Sequence, residues 1–213
     1  MATTTATFSL ASADIAPSPV SVSTSSTLYK AGLSIGLDQT TGMNKRILKT
    51  SDTAKTTLIP RTIGGTFAEL VCAHASGTVV THNANSAIVA GLSVYGEGIV
   101  PGTTIASITD TTHFVLSASA DGGTLTGQTL TFSDENYTPN KANKVYICNA
   151  SATKEDFIEI TINSEIIGRL YGGDWMFMPW SATDGLADIH VTAAEQTTTA
   201  MVNWMVIGEG DAA

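Results

Sequence analysis

Phe157-Ile158-Glu159-Ile160-Thr161-Ile162 alternates: three isoleucines fall on one face of a strand, and Glu159 and Thr161 fall on the other. An isoleucine face needs cover from a second layer, while Glu159 is expected to face solvent. The run therefore predicts a half-buried strand of an antiparallel sheet. The same logic extends downstream through Glu165–Leu170, Trp175–Met178, Asp188–Thr192 and Ala200–Ile207. Asn163-Ser164, Gly172-Gly173 and Thr183-Asp184-Gly185 supply the turns between them. In the last strand Val202, Trp204 and Val206 share a face, which makes Trp204 a core residue. No helix longer than two turns is expected, and the host of these strands is an antiparallel β-sandwich of jelly-roll type.

Upstream, residues 76–133 carry no Lys or Arg and are paced by turns. Short strands are expected at Thr78–Thr81, Leu92–Tyr95, Thr103–Ile108, His113–Leu116 and Gln128–Phe132, at a spacing of about ten residues. Phe67–Ala73 and Lys144–Cys148, on either side, read as strands of the host. Residues 76–133 are thus expected to form a small all-β module inserted into a host made of 29–75 and 134–213, and the host is expected to fold without it. Residues 1–28 hold Pro17, Pro19 and the alternating fragment Val20-Ser21-Val22-Ser23. They are expected to form an extended arm with short strands, because Ser, Thr and Pro disfavour helix.

The 213-residue chain is 43% hydrophobic but only 14% charged, against a usual quarter. Ser and Thr, about a quarter of the chain, take the missing places, and β-branched Thr favours strands. The apolar content excludes a disordered tail, and no apolar run is long enough for a membrane helix. The net charge of −9 argues against nucleic acid as a partner. Six of the ten basic residues lie between Lys30 and Arg61, a stretch able to face an acidic protein surface. Cys72 and Cys148 sit in apolar strand contexts and are expected to be reduced and buried.

Catalytic and metal-binding constellations are sparse. His74 and His82 could meet across a hairpin, but no third ligand at zinc spacing accompanies them. Asp174, Asp184 and Asp188 lack the alternating pattern of calcium loops. Gly96-Glu97-Gly98-Ile99-Val100-Pro101-Gly102 opens a strand instead of a helix, so it is a pair of turns and not a phosphate loop. No nucleophile elbow is present. The chain is expected not to be an enzyme and to use no cofactor or metal. The candidate partner contacts are Phe8 and Leu10 of the arm, the basic residues Lys45, Arg46, Lys49 and Arg61, and the aromatic residues Tyr171, Trp175 and Trp180. Core and barrel-end packing is the commoner role of such a cluster; a contact edge is the other, since exposed Trp and Tyr concentrate at interfaces.

Three stretches of the host resemble a family of virion proteins of tailed bacteriophages, especially phages of aquatic bacteria. They are Leu28-Tyr29-Lys30-Ala31-Gly32 with Gly36-Leu37-Asp38-Gln39-Thr40-Thr41-Gly42; Lys144-Val145-Tyr146-Ile147-Cys148-Asn149-Ala150-Ser151; and Leu170-Tyr171-Gly172-Gly173-Asp174-Trp175-Met176-Phe177-Met178-Pro179-Trp180-Ser181, continuing to Asp188-Ile189-His190-Val191-Thr192. Gly96 to Ile105 resembles a second phage element that recurs in different virion proteins. The resemblance implies a compact β protein of the virion without catalysis. The expected role is a capsid decoration or cement protein, a homotrimer on the capsid surface, made in the cytoplasm of the host bacterium. Its partner would be the major capsid protein or another virion protein, with neither nucleic acid nor membrane involved. A tail or fibre component, receptor- or glycan-binding through the aromatic cluster, is the alternative.

Overall fold

The computed structural model describes residues 3–15, 18–30, 32–48, 55–60, 67–100, 102–121, 123–133, 143–180, 188–193 and 200–209. Its strands are β1 (Thr4–Ser12), β2 (Val20–Leu28), β3 (Gln39–Thr40), β4 (Asn44–Leu48), β5 (Thr56–Ile59), β6 (Phe67–His74), β7 (Val79–His82), β8 (Ser93–Tyr95), β9 (Ile105–Asp110), β10 (His113–Leu116), β11 (Leu125–Ser133), β12 (Asn143–Asn149), β13 (Phe157–Ile162), β14 (Glu165–Tyr171), β15 (Trp175–Trp180), β16 (Ile189–Thr192) and β17 (Ala200–Gly208). Among the described residues none is helical, and every strand pairing is antiparallel.

The host is a sandwich of two sheets, ordered β15-β12-β17-β3, with β4 also on β17, and β14-β13-β16-β5. Thr41 bends β3 into β4: its Oγ1 accepts the Val206 N–H at 2.9 Å, and its N–H donates to the Val206 carbonyl at 3.0 Å. With β3 and β4 counted as one bent strand, the first sheet holds the first, eighth, third and sixth host strands. The second holds the second, seventh, fourth and fifth. That interleaving is the double Greek key of a jelly roll.

Alternation builds its core. Ile158 and Ile160 of β13 meet Ile189 and Val191 of β16 and, across the sandwich, Val145, Ile147, Val202, Trp204 and Val206. The turn at Asn163-Ser164 has φ of 49° and 66°, the left-handed pair that two-residue hairpins require. Glu159 lies on the outer face but is not free in water. Arg169 Nη2 holds its Oε1 at 2.8 Å while the guanidinium lies 4.4 Å over the Phe157 ring. Thr161, on the same outer face, is buried. Its cross-strand neighbours Ile166 and His190 flank it on both sides and overshadow the shorter side chain.

The inserted module is a curled six-stranded sheet, ordered β8-β11-β6-β7-β10-β9. It has its own core, with Phe114 edge-on to Phe132 at 5.7 Å. The five strands expected there are present within two or three residues. Phe67–Ala73 does not belong to the host as expected. It lies in β6, which pairs with β11 and β7 and sends Cys72 into the module core. Alternation identifies a strand but not its partner, so the sheet begins nine residues before the composition break. Burial pushes the Cys72 thiol up to about 12. At pH 8 its thiolate fraction is on the order of 10⁻⁴. Iodoacetamide is therefore expected to leave Cys72 unmodified in the native protein and to alkylate it after unfolding, as read by peptide mass. Equal labelling rates in the two states would contradict this burial.

Module and host share a seam. Tyr95 of β8 is buried in the host core, its ring 5.6 Å from Trp204 and nearly perpendicular to it. Arg46 Nη1 donates to the Ile99 carbonyl at 3.1 Å, and Thr131 Oγ1 donates to the Thr41 carbonyl at 2.5 Å. At Gly42 (φ 63°) a Cβ would run into the Glu69 carboxylate of β6.

Candidate functional site

Where an extended arm with short strands was expected, β1 and β2 form a two-stranded antiparallel hairpin. β1 and β2 pair over nine positions, from Thr4 opposite Leu28 to Ser12 opposite Val20. Directly opposed residues share a face, so Thr4, Ala6, Phe8 and Leu10 lie on one side with Val22, Thr24, Ser26 and Leu28. The other side carries Thr5, Thr7, Ser9, Ser21, Ser23, Ser25 and Thr27, a ladder of hydroxyls in which Thr7 Oγ1 donates to Ser25 Oγ at 3.3 Å. No residue of either strand is charged.

The base of the hairpin is anchored. Thr4 Oγ1 donates to the Leu37 carbonyl at 2.7 Å, the Leu37 N–H donates to the Leu28 carbonyl at 2.8 Å, and Lys30 pairs with Asp38 at 2.8 Å. This mounting lays Phe8 edge-on against Trp175 of β15, with centroids 6.4 Å apart. Trp175 in turn lies against Tyr146 of β12, the rings tilted by 31° with centroids 6.2 Å apart. The hairpin and the outer face of the β15-β12-β17 sheet thus enclose a groove of about 490 Å³ with Phe8, Leu28, Tyr146, Trp175, Phe177 and Ile207 among its lining. Among the described residues, none that lines it is charged. Burial, with the neighbouring Cys148, raises the pKa of the Tyr146 phenol, which stays neutral. Beyond the groove, Leu10 and Val22 stand side by side on the hairpin, 51% and 47% exposed.

Of the sequence-derived contacts, Phe8 and Trp175 meet although they lie at opposite ends of the chain, and Leu10 extends the same surface. Trp180 does not join them. It is five residues from Trp175, hence on the opposite face of β15, and is buried in the host core. Tyr171 is exposed on β14 and packs on Phe157 at 5.5 Å, away from the groove lining. Arg46 is buried in the seam with the Ile99 carbonyl, whereas Lys45 is 43% exposed and lies 3.7 Å from Glu97 of the module. Lys49 and Arg61 lie outside the described residues, as does Asp184. Tyr146 and Ile207 were missed. Their signal was present in β12 and β17, where the outward positions Tyr146, Met205 and Ile207 are apolar too, the pattern of a sheet covered on both faces.

His74 Nε2 bonds the Glu97 carbonyl at 3.1 Å and His82 Nδ1 the Asn83 carbonyl at 2.7 Å. Among the described residues no group of three or more His, Cys, Asp or Glu could hold a metal ion. Asn149, within an Asn-x-Ser pattern, is buried, and its amide donates to the carbonyls of Asp156 and Leu170 at 3.2 and 3.0 Å. What the groove and hairpin can do is bind: an uncharged apolar face beside an uncharged hydroxyl face. No protein-family model matches the chain, and neither a curated protein nor a solved structure matches it.

Proposed function

We propose that the chain is a structural protein of a tailed-bacteriophage particle, a capsid decoration or cement protein that grips the major capsid protein through its N-terminal hairpin. The observation that carries this reading is the hairpin itself. A two-stranded sheet alone is marginal in water, and both of its edges are unpaired among the described residues. It nevertheless holds Phe8, Leu10 and Val22 toward solvent, a surface that gains by being covered. An extended segment of a neighbouring subunit can add to its edge and place alternate side chains on the apolar face. The resemblance of the host stretches to phage virion proteins supports the setting. The tail or fibre alternative draws on Trp175 and Phe177, exposed side by side in an uncharged groove suited to stacking a sugar ring.

Copy number separates the two. Quantitative mass spectrometry of purified particles is expected to find this chain in numbers comparable to the major capsid protein. A small fraction of that number would move it to the tail, and its absence from particles would overturn the proposal altogether.

A further inference from the structure

β15 is the outermost strand of its sheet, and among the described residues it pairs with β12 alone. Which of its main-chain groups face outward follows from the ladder. The Asn149 N–H donates to the Asp174 carbonyl at 2.9 Å, and the Gly173 N–H donates to the Asn149 carbonyl at 2.7 Å. Bonded and non-bonded positions alternate along an antiparallel pair. Met176 and Met178, opposite Ile147 and Val145, therefore bond inward to β12. Trp175, Phe177 and Pro179 turn their main-chain groups to the open side. Proline, lacking an N–H, is tolerated at such an outward position, and Pro179 occupies one. The far side of β12 agrees: the Ala150 N–H donates to the Met201 carbonyl at 2.7 Å, which assigns the even-numbered residues of β12 to β17.

The neighbouring edge is blunted and this one is not. β14, outermost in the other sheet, is bulged at Ile167, between Gly168 opposite Ile160 and Ile166 opposite Thr161. It carries Glu165 and Arg169, and its Tyr171 N–H is taken by Asp174 Oδ2 at 3.0 Å. Bulges and charges are the ordinary means of blunting an edge. β15 runs Trp-Met-Phe-Met-Pro-Trp in unbroken register without a charge. Its flanks are apolar on both sides. Trp175 and Phe177 stand exposed on the outer face, and Met176 and Met178 lie half-buried at the margin of the host core. The hairpin crosses the outer face from Leu37, whose carbonyl Thr4 bonds, to Trp175, which Phe8 touches. Leu10 and Val22, two residues further out, therefore lie about 7 Å past Phe8, over the open edge.

We infer that β15 is a strand-addition site, which takes one extended, uncharged segment of the protein to which the chain attaches. The segment's backbone pairs with Trp175 and Phe177, and its outward side chains lie beneath Leu10 and Val22. Main-chain groups in a row select a strand over a helix or a small molecule, and apolar flanks on both faces disfavour a charged one. A second copy fits less well. β15 paired with itself about Met176 sets Asp174 against Met178, and about Phe177 it sets Trp175 against Pro179, which has no N–H to give. The inference rests on the attachment reading above and adds to it where the partner's strand lies.

The test is co-sedimentation of the full chain with particles that lack it, comparing the parent with Phe177→Pro and Phe177→Ala. Both substitutions remove the ring, but only proline removes the outward N–H, which no strand of the fold uses. Phe177→Pro is expected to bind at least tenfold more weakly than Phe177→Ala, the two melting within a few degrees of each other. Hydrogen–deuterium exchange of the parent keeps the inference testable if the proline variant misfolds. Resolved to single amides, Trp175 and Phe177 should exchange at least tenfold more slowly on the particle than in the free protein. Failure of the parent to bind would overturn the attachment reading and this inference with it. Parent binding with equal affinities of the two variants, or with unchanged exchange at Trp175 and Phe177, would overturn the inference alone. Self-association of the free chain that Phe177→Pro abolishes and Phe177→Ala keeps would overturn it by giving the edge to a second copy.

Discussion

Trp204→Ala is expected to destabilise the protein by about 3–5 kcal/mol, the usual range for removing a buried tryptophan. The ring is 4% exposed, central to β17, and packed between Val202 and Val206 on one side and Tyr95 on the other. For a chain of this size the loss should appear as a fall in melting temperature of roughly 10 °C, checked by thermal and urea unfolding. Tyr95→Ala should lose a comparable amount although Tyr95 belongs to the module. The pair should also be coupled in a double-mutant cycle by about 0.5–1.5 kcal/mol, as edge-to-face aromatics are. Coupling indistinguishable from zero would mean that the seam is not a shared core. The same contacts reverse one expectation from the sequence. Excision of residues 76–133 would strip β6 of both its neighbours, bare Trp204 and leave buried Arg46 without the Ile99 carbonyl. The product is now expected to unfold.

Much of the architecture was legible because alternation is a local signal. The isoleucines of β13 and the Val202-Trp204-Val206 face of β17 could be placed without knowing their neighbours, and the turn residues bounded the module strands closely. Pairing is non-local, so β6 was assigned to the wrong sheet. The hairpin was hidden for a different reason. With Ser, Thr and Ala11 on one whole face, and Phe8, Leu10, Val20, Val22 and Leu28 interspersed with Thr, Ser and Ala on the other, its strands lack the contrast that marks a half-buried strand. Two site errors were avoidable. Trp180 and Trp175 differ in parity, and Arg46 is in phase with Leu48, so both Trp180 and Arg46 were marked for the inside by the same rule that placed Trp204.

The second large effect concerns attachment. Phe8→Ala with Leu10→Asp is expected to weaken binding to the particle about 100-fold or more while the sandwich melts within a few degrees of the parent. Covering what remains exposed of Phe8, Leu10, Val22 and Trp175, about half of each, contributes roughly 1 kcal/mol per side chain. Each 1.4 kcal/mol is tenfold in affinity, and the introduced carboxylate adds a desolvation cost on top of the lost contacts. The fold is spared because Leu10 is exposed and Phe8 touches the host through its edge-on contact with Trp175.

Binding of the full chain to particles lacking it, measured by co-sedimentation at low salt and again at about 1 M salt, tests the central claim most directly. An uncharged hairpin face should give saturable binding of nearly equal affinity in both, because screening to a few ångströms leaves apolar burial and strand pairing intact. The double variant should fail at both salts. Absence of saturable binding, full binding by the Phe8→Ala/Leu10→Asp variant, or release of the parent protein by salt would contradict the account, the last by returning attachment to the basic residues.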